Sequence, residues 1–281
     1  IASIAITTTK GLNFGIDFAG GTMIEIRTPV TPDLGSLRVQ LNNLDLGEVS
    51  IQEFGQPDDL LIRFPQQDGG PEAQKAAIDS VRAVLDETYG DGKVDYRRTE
   101  FVGPQVGEEL KLQGLYAVLF SLAGILAYIW FRFEWQFGVA ALIALMHDAI
   151  ATIGLFALTQ MEFNLSTVAA ILMIAGYSIN DTVVVFDRIR EKLRKYKKKP
   201  LPELLNMAVN KTLARTLMTS VTTLLALIAL YVFGGEVIRG FIYALIFGIL
   251  IGTYSSIFVA SPLLMFFNIR RGDVQSSMDG D

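Results

Sequence analysis

Five long apolar segments in the latter part of the chain constrain its fold more than any other feature. They run at about 114–133, 138–158, 165–187, 214–233 and 240–267. Each is long enough to cross a bilayer as a helix, which takes about 20 residues. A helix also satisfies its own backbone hydrogen bonds in lipid. The sequence therefore predicts a polytopic α-helical membrane protein.

Composition indicates a membrane protein that also carries a soluble part. Hydrophobic residues make up 51% of the 281 residues, charged residues 19%, and the mean hydropathy is +0.39, values too apolar for an ordinary soluble domain. The chain has no cysteine and a single histidine, His147, so we expect no disulfide, no metal site and no cofactor. Residues 1–111 carry 18 acidic against 10 basic residues, which argues against nucleic acid as a partner.

Lysine and arginine lie at alternate ends of the five segments. Nine of them fall within 188–211, and others follow the first and the last segment. The connections on the other side, 159–164 and 234–239, hold only Arg239. Because positive residues mark the cytoplasmic side of a membrane, the sequence predicts that the basic loop 188–211 is cytoplasmic.

This orientation assigns sides to the rest of the chain. We expect residues 11–110 on the periplasmic side and the tail 271–281 in the cytoplasm. Residues 1–10 are mildly apolar but too few to span a bilayer. We interpret them as the outer end of a truncated first span that begins ahead of Ile1, which would make six spans in all.

Residues 11–110 alternate between strand and helix patterns. The predicted strands are 22–27, 49–55, 59–65 and 93–103, and the predicted helices are 32–44 and 71–90. The resulting order, β-α-β-β-α-β, is that of a ferredoxin-like fold. About 90 residues are enough for a small core, so the sequence predicts a separate external α+β domain.

Asn180 and Asp181 lie inside the third apolar segment, in the stretch GYSINDTVVVFDRIRE. A carboxylate within a membrane costs at least about 3 kcal/mol, and such groups usually face a partner or an aqueous ion path. The segment ends near Asp187, roughly 9 Å from Asp181. A purely structural hydrogen-bonding role is therefore the alternative to a role in ion movement.

The next segment offers Asp181 a partner in Arg215. Consecutive spans run antiparallel, so the two side chains can lie at similar depth. Arginine keeps its charge, and a change in water access around the pair would let the aspartate take up and release a proton. Thr219 and Thr222 share the face of Arg215, and Thr216, Ser220 and Thr223 widen this polar stripe. Such hydroxyls also serve simply to pack membrane helices.

Two further polar or small-residue features lie within the apolar segments. His147 and Asp148 occupy the middle of the second segment, where both a relay role and a structural role are open. Gly248, Gly252 and Ser256 are spaced four residues apart and predict close helix packing.

The stretch GLNFGIDFAGGT places Gly15, Gly20 and Gly21 around Asp17. It lacks the lysine-containing pattern of a phosphate-binding loop, so we do not expect a nucleotide. The glycines instead predict a tight bend ahead of the first strand.

Three stretches together resemble the SecD/SecF family, and within it the SecF branch. They are GLNFGIDFAGGT, GYSINDTVVVFDRIRE and LARTLMTSVTT, and the resemblance continues through FGGEVIRGF and IGTYSSIFVASPL. It covers nearly the whole chain. The family belongs to the resistance-nodulation-division (RND) superfamily, so the resemblance implies a six-span RND-type bundle with an external domain after the first span.

The resemblance also implies a function. Members of the SecF branch pair with SecD in the bacterial inner membrane, and the pair uses the proton-motive force to help draw preproteins through the SecYEG channel. The proton-linked aspartate and arginine of the family match Asp181 and Arg215, and its His-Asp pair matches His147 and Asp148. The expected partners are SecD, SecYEG, preproteins at the external domain, and membrane lipids.

Two other interpretations stay open at this point. In the first, the chain is one half of an RND-type exporter and needs a second six-span half. In the other, it is an assembly subunit that moves no ion. An enzyme is not expected, because the sequence shows no set of nucleophile and base and no metal-binding cluster.

Overall fold

The computed structural model of the protein describes residues 2–235, 238–267 and 269. The chain divides into two compact units, one formed by Phe14–Gly114 and the other by Ile1–Asn13 together with Leu115–Asp281. We call them the α+β unit and the helical unit. The predicted tail 271–281 lies outside the described residues, as do residues 236 and 237 of the FGGEVIRGF stretch.

The elements in chain order are α1 (Ala2–Lys10), α2 (Ile16–Ala19), β1 (Gly21–Arg27), α3 (Leu34–Asn42), β2 (Ser50–Phe54), β3 (Gln56–Phe64), α4 (Gly70–Tyr89), β4 (Asp95–Val102), α5 (Pro104–Arg132), α6 (Trp135–Thr159), α7 (Leu165–Lys195), α8 (Leu201–Phe233), α9 (Arg239–Ser255), a π-helical turn (Ser256–Ala260) and α10 (Ser261–Phe266).

Among the described residues, five helical stretches are long and apolar enough to cross a membrane, which confirms the predicted multi-pass class. They are Gln105–Arg132, Trp135–Thr159, Leu165–Lys195, Leu201–Phe233 and Arg239–Phe266. The second, third and fifth are the more buried, with 44%, 44% and 50% of their apolar windows inside the molecule, against 11% for the other two. α6, α7 and α9 therefore form the centre of the helical unit.

The segment 188–211 is mostly helical, where the sequence predicted a loop. α7 continues to Lys195 and α8 begins at Leu201, which leaves only residues 196–200 between them. The cause is local: arginine, lysine and glutamate are good helix formers. In addition, Ile189 and Leu193 continue the buried face of α7 into the unit's core.

One end of the helical unit is held by an aromatic cluster and a buried ion pair. The rings of Phe137 and Phe186 meet edge to face with centroids 5.1 Å apart. Arg190 of α7 reaches the turn between α5 and α6, where it binds Glu134 at 3.1 Å and lies over the ring of Phe133. These contacts fix the end of α7 against the start of α6.

The α+β unit is built on a four-stranded antiparallel sheet in the order β2-β3-β1-β4. Its strands and its helices α3 and α4 follow the predicted order β-α-β-β-α-β, with the short α2 added ahead of β1. Side chains alternate along a strand, so Ile24, Ile26 and Ile62 share one face. There they pack with Leu41 of α3 and Val81 of α4 in a single core.

An ionic cluster lies at one end of this sheet. Asp59 accepts two hydrogen bonds from Arg27, at 2.7 and 2.6 Å, and Arg97 lies 3.1 Å away. The hydrogen bonds from Arg27, together with the charges of both guanidinium groups, lower the pKa of Asp59 below its usual value. The cluster therefore holds β1, β3 and β4 together most firmly while Asp59 is ionised.

The predicted glycine bend lies between α2 and β1. Gly20 and Gly21 have φ angles of +73° and +107°, in the range that favours glycine. A Cβ on Gly21 would also stand 2.6 Å from the carbonyl oxygen of Phe64. Gly15 has an ordinary φ of −72° and precedes α2, and Asp17 lies in the first turn of that helix.

Candidate ion pathway in the helical unit

α7 carries its polar residues on the face that it buries. The helix begins with a capping box, in which the Asn164 side chain accepts from the Thr167 amide and the Thr167 hydroxyl accepts from the Asn164 amide. Ser178, Asp181 and Thr182 then lie on the buried face, all at most 8% exposed. Asp181 and Thr182 follow Ser178 by three and four residues, which is about one helical turn.

Asp181 is only 8% exposed. Its Oδ1 accepts a 2.6 Å hydrogen bond from the Thr216 hydroxyl of α8. Its Oδ2 is buried and has no hydrogen-bond partner within the described part of the chain. A buried oxygen without a hydrogen bond costs free energy. It also leaves one position of the carboxylate open for a proton or a hydrogen-bond donor.

Thr216, rather than Arg215, makes the direct contact with Asp181. Arg215 is exposed on α8 and influences the carboxylate only through its charge. Arg215 and Thr216 are neighbours in α8, so Arg215 still lies at the level of Asp181, as predicted. The expected direct pairing is not formed in this chain by itself.

The polar stripe of α8 divides between two faces. Thr212, Thr216 and Ser220 are buried and face the other helices, and Ser220 exchanges a 2.7 Å hydrogen bond with Thr253 of α9. Thr219 and Thr222 are exposed, like Arg215, and their hydroxyls bond to carbonyls of their own helix. The exposed half of the stripe therefore lies outside the packed interior. Asn180 is exposed too, on α7.

Asp148 of α6 is the second buried carboxylate, 1% exposed. Its Oδ2 accepts hydrogen bonds from the hydroxyls of Ser178 and Ser255, at 2.6 and 2.8 Å. Its Oδ1 lies 3.1 Å from Nδ1 of His147. Side chains of α6, α7 and α9 thus meet at this single carboxylate, and the His147 side chain stays 40% exposed.

The end of α9 and the π-helical turn that follows it place two consecutive serines inside the unit. Ser255 and Ser256 are both 0% exposed. Ser256 shares a 2.9 Å hydrogen bond with Thr182, and the Ser261 hydroxyl donates to the Ser256 carbonyl at 3.1 Å. π turns inside helices occur frequently at functional sites. Here the turn brings α9 to Asp148 and to the surroundings of Asp181.

Small residues permit this close approach of α7 and α9. A Cβ on Gly248 would stand 2.2 Å from Ile174, and one on Gly252 would stand 3.2 Å from the Cβ of Ser178 and 3.7 Å from Asp148. Ser256 completes the predicted ridge and is fully buried. The packing role predicted for these three residues agrees with their contacts.

Ser178, Thr182 and Ser255 belong to the site but were not singled out from the sequence. The first two had a usable signal, because Ser178 lies three residues before Asp181 and four before Thr182, which is one helical turn. Ser255 had no such signal, since its partner Asp148 is 107 positions away in the chain.

The fold and the site define a class of protein: a polytopic membrane protein with two ionisable carboxylates enclosed by hydroxyl groups among its central helices. Ionisable groups in that position mark substrate or ion pathways. Comparison with known proteins is consistent with this class and names the family.

The family model for the C-terminal part of the protein export membrane proteins SecD and SecF matches residues 81–270, and the SecD/SecF GG motif matches residues 5–28. The chain therefore belongs to the SecD/SecF family. The SecF proteins of Rickettsia felis and Rickettsia bellii are each 51% identical to it, over 92% and 91% of this chain and 83% of their own length. That of Cereibacter sphaeroides is 46% identical over 96% of this chain and 85% of its own.

Two solved structures have the same fold. The crystal structure of SecDF from Thermus thermophilus, described as a translocon-associated membrane protein, matches 95% of this chain at 39% identity with a TM-score of 0.84. A second SecDF structure, in a super-membrane-facing form, matches 98% at 38% identity with a TM-score of 0.66. The chain spans 36% and 37% of those two SecDF chains.

Proposed function

We propose that this SecF-type subunit works with SecD, and that the pair uses the proton-motive force to assist preprotein export through the SecYEG channel. Asp181 and Arg215 belong to the proton path in this proposal. The observation that carries it is the buried, unpartnered Oδ2 of Asp181 in a helix that is apolar enough to span a membrane. A purely structural carboxylate would be expected to have both oxygens bonded.

The exposed side of α8 supports a partner that completes the site. Arg215 lies in a membrane-spanning stretch and faces away from the packed interior of this chain. A guanidinium facing lipid is costly, and such residues normally face protein or water. SecD suits this place, because the chain matches only 36% of a SecDF chain and the rest of that chain is what a separate partner would supply.

The distribution of basic residues supports the orientation. Lys197, Lys198 and Lys199 lie in the short connection between α7 and α8, whereas residues 160–164 between α6 and α7 hold no lysine or arginine. We infer that the α7–α8 connection is cytoplasmic and that the α+β unit is periplasmic, where it can meet the emerging preprotein. The chain then acts as a transporter subunit rather than as an enzyme.

The proposal is tested by proton-motive-force-dependent preprotein export into inverted membrane vesicles in which this chain is the only SecF. Asp181→Asn and Arg215→Gln are expected to abolish the dependence on the proton-motive force while SecD still copurifies with the chain. Asp187→Asn and Arg188→Gln are matched controls, because they make the same changes at exposed or half-exposed positions further along α7.

Normal export by both Asp181→Asn and Arg215→Gln would show that the chain moves no ion and would favour the scaffold alternative. Efflux of lipids or drugs that survives without SecD would instead favour an exporter half. If SecD does not copurify with the wild-type chain, the proposed partnership is contradicted.

A further inference from the structure

The proposed function makes no use of Asp148, although it is the most deeply buried carboxylate of the described helical unit, at 1% exposed. A structural carboxylate at this position needs hydrogen-bond donors, and Ser178 and Ser255 supply two to Oδ2. Its other oxygen, Oδ1, faces a titratable group, the imidazole of His147 at 3.1 Å. A structural role requires no such group, and this second contact points to proton exchange.

His147 connects Asp148 with the outside of the helical unit. The imidazole lines an open cavity of about 400 Å³ between α1 and α6, together with Ser3, Ile4, Met146 and other small or apolar side chains. His147 is the titratable residue among those that line this cavity. The imidazole whose Nδ1 touches the buried carboxylate is therefore also open to this cavity.

Hydrogen bonds connect Asp148 with Thr182, the residue next to Asp181 in α7. The hydroxyl of Ser178 bonds to Asp148, and the Ser178 carbonyl oxygen accepts from the Ser256 hydroxyl at 3.4 Å. Ser256 in turn bonds to Thr182 at 2.9 Å. Ser255 is the last residue of α9 and bonds to Asp148, and Ser256 is the first residue of the π-helical turn, so the junction of these two elements contacts both α6 and α7.

Titratable or charged side chains of α6, α7, α8 and α9 lie beside this network. His147 lies on α6 with the ring of Tyr254 of α9 beside it at 6.4 Å between centroids, and Asp181 lies on α7 with Arg215 of α8 at its level. α1 contributes Ser3, which packs on Gly154 of α6 and carries no charge.

We propose that Asp148 is a second proton-binding carboxylate of the ion pathway, supplied from the cavity by His147 and connected with the surroundings of Asp181 through Ser178, Ser256 and Thr182. This inference rests on the proton role of Asp181 proposed above. The proton leaves Nδ1 of the imidazolium for Oδ1 of Asp148, which leaves a neutral imidazole and a carboxylic acid. Onward movement places the proton on Oδ2, where Ser178 or Ser255 turns from donor to acceptor.

The test uses the complete chain in complex with SecD, reconstituted in liposomes. Infrared difference spectra between acidic and alkaline buffer detect the C=O stretch of each carboxylic acid that titrates, and a pH-sensitive dye records proton flux. Among the bands of the many carboxylic acids of the complex, we expect Asp148→Asn to remove one and to shift the band that Asp181→Asn removes, because the two carboxylates are coupled. Proton flux is expected to fall at least tenfold in Asp148→Asn.

Thr152→Val is the matched control. Thr152 is as buried as Asp148, but its hydroxyl bonds only to the Asp148 carbonyl of its own helix, so this variant should retain both bands and the flux. His147→Asn keeps a donor in place of Nδ1 without a titratable ring, and we expect it to slow the flux several-fold while the Asp148 band remains.

The outcomes separate this inference from the proposed function. If Asp181→Asn abolishes flux but Asp148→Asn alters neither the flux nor any carboxylic acid band, Asp148 is structural and this inference fails alone. If Asp181→Asn leaves the flux unchanged, the proposed function itself fails. The melting temperature and the copurification of SecD are measured for every variant and identify any loss of flux that misfolding causes. For a variant that folds, the carboxylic acid bands in the infrared spectrum show whether Asp148 binds a proton.

Discussion

Asp181 of α7 and Thr216 of α8 are joined by a 2.6 Å hydrogen bond inside the helical unit. Thr216 is 1% exposed, and its neighbour Arg215 is exposed on the other side of the same helix. The carboxylate thus has an inner hydroxyl partner from its own chain and an outer cation that a partner chain can reach. This arrangement lets a partner influence the buried carboxylate without displacing its internal bond.

Replacing Thr216 by valine should impair proton-coupled export. The change keeps the shape of the side chain but leaves Asp181 without the donor to Oδ1. Hydrogen bonds to charged groups contribute about 1.5–3 kcal/mol, so we expect export driven by the proton-motive force to slow about tenfold or more. Vesicle export assays measure this directly. Thr212→Val is the control, because Thr212 is buried on the same face and bonds only to carbonyls of α8; equal defects in both variants would contradict the assignment.

Replacing Gly248 by alanine should loosen the contact between α7 and α9. The new Cβ would stand 2.2 Å from Ile174, and overpacking of this kind costs about 1–3 kcal/mol. Thermal unfolding of the complex in detergent would show a lower midpoint. Gly176→Ala, where a Cβ meets nothing within 4 Å, should have little effect. Adding Ile174→Ala to Gly248→Ala should restore part of the loss, and the absence of any rescue would show that the strain lies elsewhere.

Replacing Glu134 by alanine should destabilise the helical unit strongly. Arg190 is 4% exposed and Glu134 is 9% exposed at the side chain, so the change removes the countercharge of a buried guanidinium, which costs about 3–5 kcal/mol. Asp187→Asn tests the exposed pair with Arg132 at the same end, where we expect less than about 1 kcal/mol. Hydrogen exchange in α6 and α7, measured during chemical unfolding, compares the free energy of unfolding of the two variants. Similar losses in both would show that the buried pair contributes no more than the exposed pair.

The α+β unit should lose stability in acid through Asp59. Because Arg27 holds the pKa of this carboxyl below its unfolded value of about 3.9, its contribution is complete above that value and disappears as the pH falls through the folded pKa. The protection of β1 and β3 against hydrogen exchange in the whole chain, corrected for the intrinsic exchange rate at each pH, should therefore fall below about pH 4.

Asp59→Asn should weaken the same strands already at neutral pH and flatten the acid dependence. Asp68→Asn, at an exposed position, should behave like the wild type. An unchanged acid profile in Asp59→Asn would show that other carboxylates cause the acid effect.

Local patterns alone predicted much of this protein. The five spans follow from the length of the apolar segments, and the β-α-β-β-α-β order follows from alternation and turn residues. The importance of Asp181 and Asp148 was also visible, because a carboxylate in an apolar helix is costly wherever that helix packs. These features depend on neighbours within a few residues, which sequence displays directly.

Tertiary structure alone decided which groups surround the two carboxylates. Consecutive residues on a helix point about 100° apart, so the rotation of α8 determines whether Arg215 or Thr216 meets Asp181. The polar stripe of α8 includes both Arg215 and Thr216, so the stripe alone does not set that rotation. Ser255 reaches Asp148 across 107 positions. The contact of Ser255 depends on the small residues of α9, which allow α9 to pack closely on α7, and no single segment of the sequence encodes that packing.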